Sequence, residues 1–173
     1  MSTIVSGNSG GTALTTTSVL TTQGQVLQVV NYQTAALMTG TTTIPLDDTI
    51  PQNTEGTEFM TLAITPKSAT SNLRFSIVMY LTPNGGINNL IGALFQDSTV
   101  NALTTAQVYG ATANGSTPLV LNYSMTSGTT SSTTFKVRGG MQSATTITLN
   151  GMGSARYYGG TWFSSITITE VVP

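Results

Sequence analysis

The 173-residue chain contains no cysteine and no histidine, and only 6% of its residues are charged. Without Cys there are no disulfides and no thiolate chemistry, and the redox compartment leaves no trace in the sequence. Without His, Ser-His-Asp and Cys-His catalysis and the common zinc sites are excluded. The five cations, Lys67, Arg74, Lys136, Arg138 and Arg156, are scattered. Nucleic-acid binding needs phosphate-neutralising side chains on one surface, so no nucleic-acid partner is expected. Only six carboxylates exist: Asp47, Asp48, Glu55, Glu58, Asp97 and Glu170. Asp47 and Asp48 are adjacent, so in extended chain they point to opposite sides and do not make a glycosidase pair by themselves. An enzyme of that kind would need two carboxylates brought together from different loops, and no enzymatic activity is expected. A calcium loop built from them with Asn53 or Glu55 lacks the spaced D-x-D-x-D-G pattern. A solvated loop capping a sheet end is the simpler reading, with no metal or cofactor.

Long apolar runs are missing too. The longest, Phe75 to Leu81, is broken by Ser76 and falls far short of the roughly 20 residues that span a bilayer, so membrane insertion is not expected. The opening MSTIVSGNSGG has neither a positive nor an apolar leader region, so no signal peptide is expected. Gly151-Met152-Gly153 lacks the third glycine and the helix of a dinucleotide site. Asn114-Gly-Ser and Asn122-Tyr-Ser match the glycosylation pattern, as chance allows in a chain so rich in Ser and Thr.

What is abundant is small and hydroxylated: 35 Thr and 17 Ser, with 18 Gly. Thr is β-branched and suits a pleated, half-wet surface, while Lys and Glu, the usual exposed helix formers, are nearly absent. The chain should be all-β. Its clearest pattern is at Leu73, Phe75, Ile77, Met79 and Leu81, apolar at every other position, which puts all of them on one face of a strand. Arg74, Val78 and Tyr80 then share the other face. Bare, that face would be an apolar patch with little charge to keep copies apart, so these three are candidate subunit-interface residues.

Residues 25–173 read as eight to ten short strands separated by turn signals, with no credible helix: an antiparallel two-sheet sandwich, most simply a jelly roll. Segments 24–32, 58–65, 72–81, 89–95, 104–109, 117–125, 133–137, 145–149 and 162–172 are the expected strands. Gly139-Gly140 is expected to break the strand before it, and 150–160 to be a Gly-rich loop. Asn89–Phe95 is apolar on both faces, as in a central or doubly covered strand. Residues 1–24 hold too little apolar surface to fold alone. They are read as an extended N-terminal arm, with Ile4, Val5, Leu14, Val19 and Leu20 as candidate anchors on a partner; a disordered tail is the alternative.

One constellation could contact a partner: Arg156, Tyr157 and Tyr158 with Trp162, near which Tyr109 is also considered. Aromatic rings beside polar side chains form platforms for sugars or proteins. The plainer alternative, favoured by the usual burial of Trp, is that Trp162 fills the core end of the last strand while the tyrosines pack at a subunit contact.

GQVLQVV at 24–30, ITPKSATSNLRFSIVMYL at 64–81 and the closing SSITITEVVP at 164–173 together resemble bacteriophage virion proteins. These are proteins of tail-fibre or head-decoration type with trimeric, tumour-necrosis-factor-like or C1q-like jelly-roll domains. The resemblance covers residues 25–173 and lies in the order of segments, not in a catalytic motif. It implies a homotrimer of non-enzymatic β subunits, exposed on a virion assembled in the host cytoplasm. The expected role is capsid decoration, cement or spike, attached to other virion proteins through the arm. The chain opens on its own Met and carries no shaft, which favours this role. The alternative is a tail-fibre or receptor-binding adhesin that contacts a host-surface glycan or protein.

Overall fold

Alternation decides where the core lies. In the computed structural model, which describes residues 23–85, 88–110 and 115–173, Leu73, Phe75, Ile77, Met79 and Leu81 are all buried on one side of a single long strand. That strand, β4 (Asn72–Pro83), is flanked by β12 (Ser164–Val171) on one edge and β7 (Thr117–Thr126) on the other. Beyond β12 lies β1 (Val26–Thr34). Where β12 ends, β9 (Ile147–Leu149) takes its place beside Leu81–Pro83 and carries β2 (Met38–Gly40) with it. The opposing sheet runs β3 (Thr57–Ile64), β8 (Thr133–Met141), β5 (Asn88–Gln96), β6 (Thr104–Gly110).

All these pairings are antiparallel. Counted in chain order, the eight long strands lie first-eighth-third-sixth in one sheet and second-seventh-fourth-fifth in the other. This interleaving is a jelly-roll sandwich, the architecture expected from the sequence. The two inner faces meet in one core. Phe75 of the first sheet packs edge-on to Phe135 of the second, with ring centroids 4.6 Å apart. Ile166 and Ile168 are buried beside β4, with Thr167 turned outward between them.

The two apolar faces of β5 have separate partners. Leu90 and Leu94 enter the main core, whereas Ile91, Ala93 and Phe95 form a second cluster with Ile44. The cover on that outer face is the irregular segment 41–56. Ile44 N–H donates to Met141 O, Gly56 N–H to Thr43 O and Ala102 N–H to Pro51 O. Arg138 fastens it further, donating at 2.8 Å to the carbonyls of both Glu55 and Gly56 and pairing with Glu58 at 3.5 Å.

Three sequence expectations need revision. Gly139-Gly140 does not break β8, which runs through both to Met141. The glycines mark close approach instead of a turn. A Cβ on Gly140 would lie 2.8 Å from the Ile44 side chain and 2.9 Å from Thr42 O, and one on Gly139 would lie 3.1 Å from Phe59. Strand β2 went unread because three residues of polar surroundings carry no period. The third is Trp162, which lies outside both core clusters. Ile4, Val5, Leu14, Val19, Leu20 and Asn114 lie outside the described residues.

Candidate functional site: an aromatic ledge on a strained loop

The Gly-rich segment between β9 and β12 is more ordered in its geometry than a composition-based loop implies. It contains the short hairpin β10 (Gly151–Met152) and β11 (Ala155–Arg156), followed by a single 3-10 turn at Tyr158–Gly160. Gly153 and Ser154 join the hairpin with φ of 57° and 62°, the pair of left-handed residues that a type I′ turn needs. Four non-glycine residues of the described chain have positive φ, and Asn150, Ser154 and Tyr158 are three of them. Such strain persists only where surrounding contacts hold it, and it gathers at functional sites.

Those contacts are visible beneath the loop. Asn150 is buried, at φ 55°, and its amide donates to the carbonyls of Thr34 (2.9 Å) and Ala36 (3.1 Å). Its side-chain oxygen accepts the Ser164 hydroxyl at 2.7 Å, and Ser164 Oγ in turn accepts the Tyr80 N–H at 3.0 Å. Asn150 N–H donates to Tyr80 O at 3.0 Å. Thr82, Thr148 and Asn84 hold the hairpin from below, through Gly151 O and both the amide and the hydroxyl of Ser154. The base is therefore a closed polar network tied into β4.

On this base stands a run of aromatic rings. Tyr80 meets Trp162 at 5.6 Å between centroids, Trp162 meets Tyr158 at 5.5 Å, and Tyr158 meets Tyr157 at 6.4 Å. Trp162 is half-buried and stands outside both core clusters, so it does not fill the core end of the last strand. The physical reason is that the chain leaves the sheet before Trp162 could pair: β12 begins at Ser164, and the place beside Leu81, which Trp162 would take if the strand continued, is held by Leu149 of β9. Tyr158 is 69% exposed, and Tyr157 and Phe163 are 42% exposed each. Arg156 is exposed beside them. A side chain at Gly160 would begin 3.0 Å from its guanidinium, and that guanidinium makes no hydrogen bond or ion pair among the described residues.

The structure thus brings Arg156, Tyr157, Tyr158 and Trp162 together and adds Tyr80, which sequence reasoning had assigned to a different surface. Arg74 and Val78 stay on the outward face of β4, Arg74 exposed and Val78 half-buried between Ser165 and Val120. Tyr109 is exposed on the edge strand β6 of the opposite sheet. Asn150 and Phe163 were missed. An Asn-Gly step is a turn signal that could have found Asn150.

Five of the six carboxylates have internal partners, Glu58 through Arg138; Asp48 has none among the described residues. Asp47 accepts the Thr49 hydroxyl and amide, which hold its carboxyl below the usual range. Glu55 accepts the Gln52 amide, and Asp97 accepts from Thr133 and Thr134. Glu170 is wholly buried where the turn between β3 and β4 crosses the sandwich end. Burial would raise its carboxyl, but the Ser71 hydroxyl, the Gln28 amide and the backbone N–H groups of Lys67 and Ser68 outweigh it and keep it below the ordinary value. Among the described residues no group of three or more carboxylates is placed to hold a metal ion, and no helix is long and apolar enough to cross a membrane.

No protein-family model matches the chain, and no curated protein does. Among solved structures, latent PorU from Porphyromonas gingivalis matches over 87% of this chain at 11% identity and a TM-score of 0.39. The chain spans only 14% of that protein. The Bacillus endospore appendage protein, a disulfide-linked pilus, matches over 88% of this chain and 95% of its own length, at 12% identity and a TM-score of 0.31. The Gx strain of infectious bursal disease virus supplies a third, at 16% identity and a TM-score of 0.38, over 86% of this chain and 37% of the viral one. No role or assembly state is transferred from these proteins to this chain.

Proposed function

We propose that this chain is a non-enzymatic structural subunit of a virus particle, a homotrimer that decorates or cements a capsid through its N-terminal segment. The observation that carries the reading is the outward face of the sheet β1, β12, β4, β7. From Val29 onward its residues are Ser, Thr, Asn, Gln and Val with Tyr80 and Pro118, and its one charge is Arg74. Surfaces that stay apart in solution are about 25–35% charged and mixed in sign. A face this poor in charge suits permanent contact with neighbours, where Arg and Tyr are frequent anchors. The committed carboxylates support the non-enzymatic part, because Asp47, Glu55, Asp97 and Glu170 all have internal partners.

Light scattering on the full chain tests the assembly: three copies are expected, and a monomer overturns the trimer. Deletion of residues 2–22 tests the attachment. It spares the Gly24–Val172 bond at the start of β1, so a folded trimer that no longer binds capsids is expected. A truncated trimer that still saturates capsids overturns the arm assignment.

A second reading, an adhesin, is favoured by the strained aromatic loop, since rigidly based loops with exposed rings suit partner contact better than they suit packing.

A further inference from the structure

We infer that the ledge formed by Arg156, Tyr157, Tyr158 and Trp162, with Tyr80 backing Trp162 from the sheet, is a binding site for an acidic, carboxylate-bearing saccharide. The inference deepens the adhesin reading and rests on it. Four observations point there.

The first is charge. Arg156 is an exposed cation whose guanidinium makes no hydrogen bond or ion pair among the described residues. The segments that meet at the ledge, 34–37, 80–84 and 147–163, contain no Asp or Glu, and none occurs anywhere between Asp97 and Glu170. A protein whose net charge is −1 therefore presents a lone, unneutralised fork of donors here. Guanidinium matches carboxylate in a bidentate geometry.

The second is ring arrangement. Successive centroids lie 5.6, 5.5 and 6.4 Å apart, the separation of rings in mutual contact. The rings are inclined to each other by 53°, 69° and 56°, so they present separate faces and edges instead of one flat apolar plate. Sugar rings offer C–H faces to such rings and hydroxyls to what surrounds them, and Tyr supplies both an apolar body and a polar tip. A protein partner's anchor would want a desolvated pocket, which a stepped, 69% exposed Tyr158 does not form.

The third is preorganisation. The base of the ledge is fixed by the Asn150–Ser164–Tyr80 network and the Asn84–Ser154–Thr148 contacts, so the ordering cost of binding falls on the exposed side chains and not on the loop backbone. The fourth is strain: Tyr158 holds φ 52°, a left-handed conformation costly for a bulky residue, and this conformation belongs to the turn that sets its ring outside the fold.

The test uses the full chain and its single tryptophan, Trp162, which stands in the ledge and reports binding by its own fluorescence. Oligogalacturonate and oligosialic acid are the probes, each paired with its methyl ester, which keeps the sugar and removes the charge. A saturable change in Trp162 emission is expected with at least one acidic probe. Arg156→Gln and methyl-esterification should each weaken it about tenfold or more, the loss expected of a hydrogen bond to a charged group. Tyr158→Asn, which keeps a side chain tolerant of positive φ, should weaken it as well. Circular dichroism confirms that each variant retains its β fold. No response to either acidic probe, equal response to the esters, or an unaltered Arg156→Gln overturns the inference. Adsorption of the chain to cells separates the two levels. Adsorption lost in Arg156→Gln without response to either acidic probe leaves the ledge as a contact surface but removes the saccharide. Adsorption unchanged in Arg156→Gln and Tyr158→Asn overturns the adhesin reading itself.

Discussion

The rings of Tyr80 and Trp162 lie 5.6 Å apart, inclined by 53°, and this contact joins the outward face of β4 to the loop before β12. Two surfaces that look separate along the chain are therefore one. The backbone reinforces the contact, because Tyr80 N–H donates to Ser164 Oγ and Tyr80 O accepts from Asn150 N–H.

Substitutions on the two faces of β4 should separate folding from assembly. Ile77 is 0% exposed, so Ile77→Glu places a charge in the core and forfeits roughly 1.5–3 kcal/mol of apolar burial besides; no folded product is expected. Tyr80→Glu should keep the β-rich circular dichroism spectrum, shift Trp162 emission and weaken the oligomer. An intact Tyr80→Glu oligomer by light scattering would mean that this face is merely surface.

Asn150→Ala should destabilise the fold by about 3 kcal/mol, since it leaves buried carbonyl and hydroxyl groups without partners and puts Ala at a left-handed position. Asn150→Gly relieves the backbone but not the lost hydrogen bonds, so it should fall between Ala and the parent in urea denaturation. Equal stability for all three proteins would show that the network under the ledge carries no energy.

Glu170 should make the protein acid-sensitive. Its folded carboxyl titrates below its ordinary value of 4.5, so its contribution is present above that pH and is lost as pH falls through the lower folded value. The thermal stability of the parent should therefore fall on the acid side of about pH 4.5, while Glu170→Gln, already less stable at neutral pH, shows a flatter acid limb. An identical acid limb in the variant would remove Glu170 from that account. The first region to loosen should be the turn at 66–71, whose amides and Ser71 hydroxyl it holds.

Gly140→Ala should loosen the cover over the second cluster more than the main core. Its Cβ would meet Ile44 at 2.8 Å and the Thr42 carbonyl at 2.9 Å, and the backbone contact cannot move aside as a flexible side-chain end can. A cost of about 1–3 kcal/mol is expected from overpacking, with faster proteolytic cleavage within 41–56 as its local sign. Unchanged cleavage would show that the segment accommodates the methyl group.

By itself the sequence determined the fold class and most of the strands. The alternation at Leu73–Leu81 and at Ile166 and Ile168 is local, and a period of two reports a strand's buried face without knowledge of its neighbours. The apolar doubling of Asn89–Phe95 pointed to a strand either central in its sheet or covered on both sides. What covers it was not legible, because segment 41–56 is tied to β8 and to the loop after β5 by hydrogen bonds to Met141, Val100 and Ala102 that its own Pro and Asp residues do not encode, and only then does Ile44 reach β5. Gly139-Gly140 misled for a related reason: local propensity marks glycine as a breaker, whereas here it admits another chain segment. The loop aromatics and Arg156 were visible as residue types. Only the tertiary structure decided that Trp162 stays outside the core, that Tyr80 completes its row, and that Asn150 and Glu170 are buried anchors. Those outcomes depend on which distant segments pair, as when β9 and not the residues before β12 takes the place beside Leu81, and pairing is a property of the assembled sheets, not of any one strand.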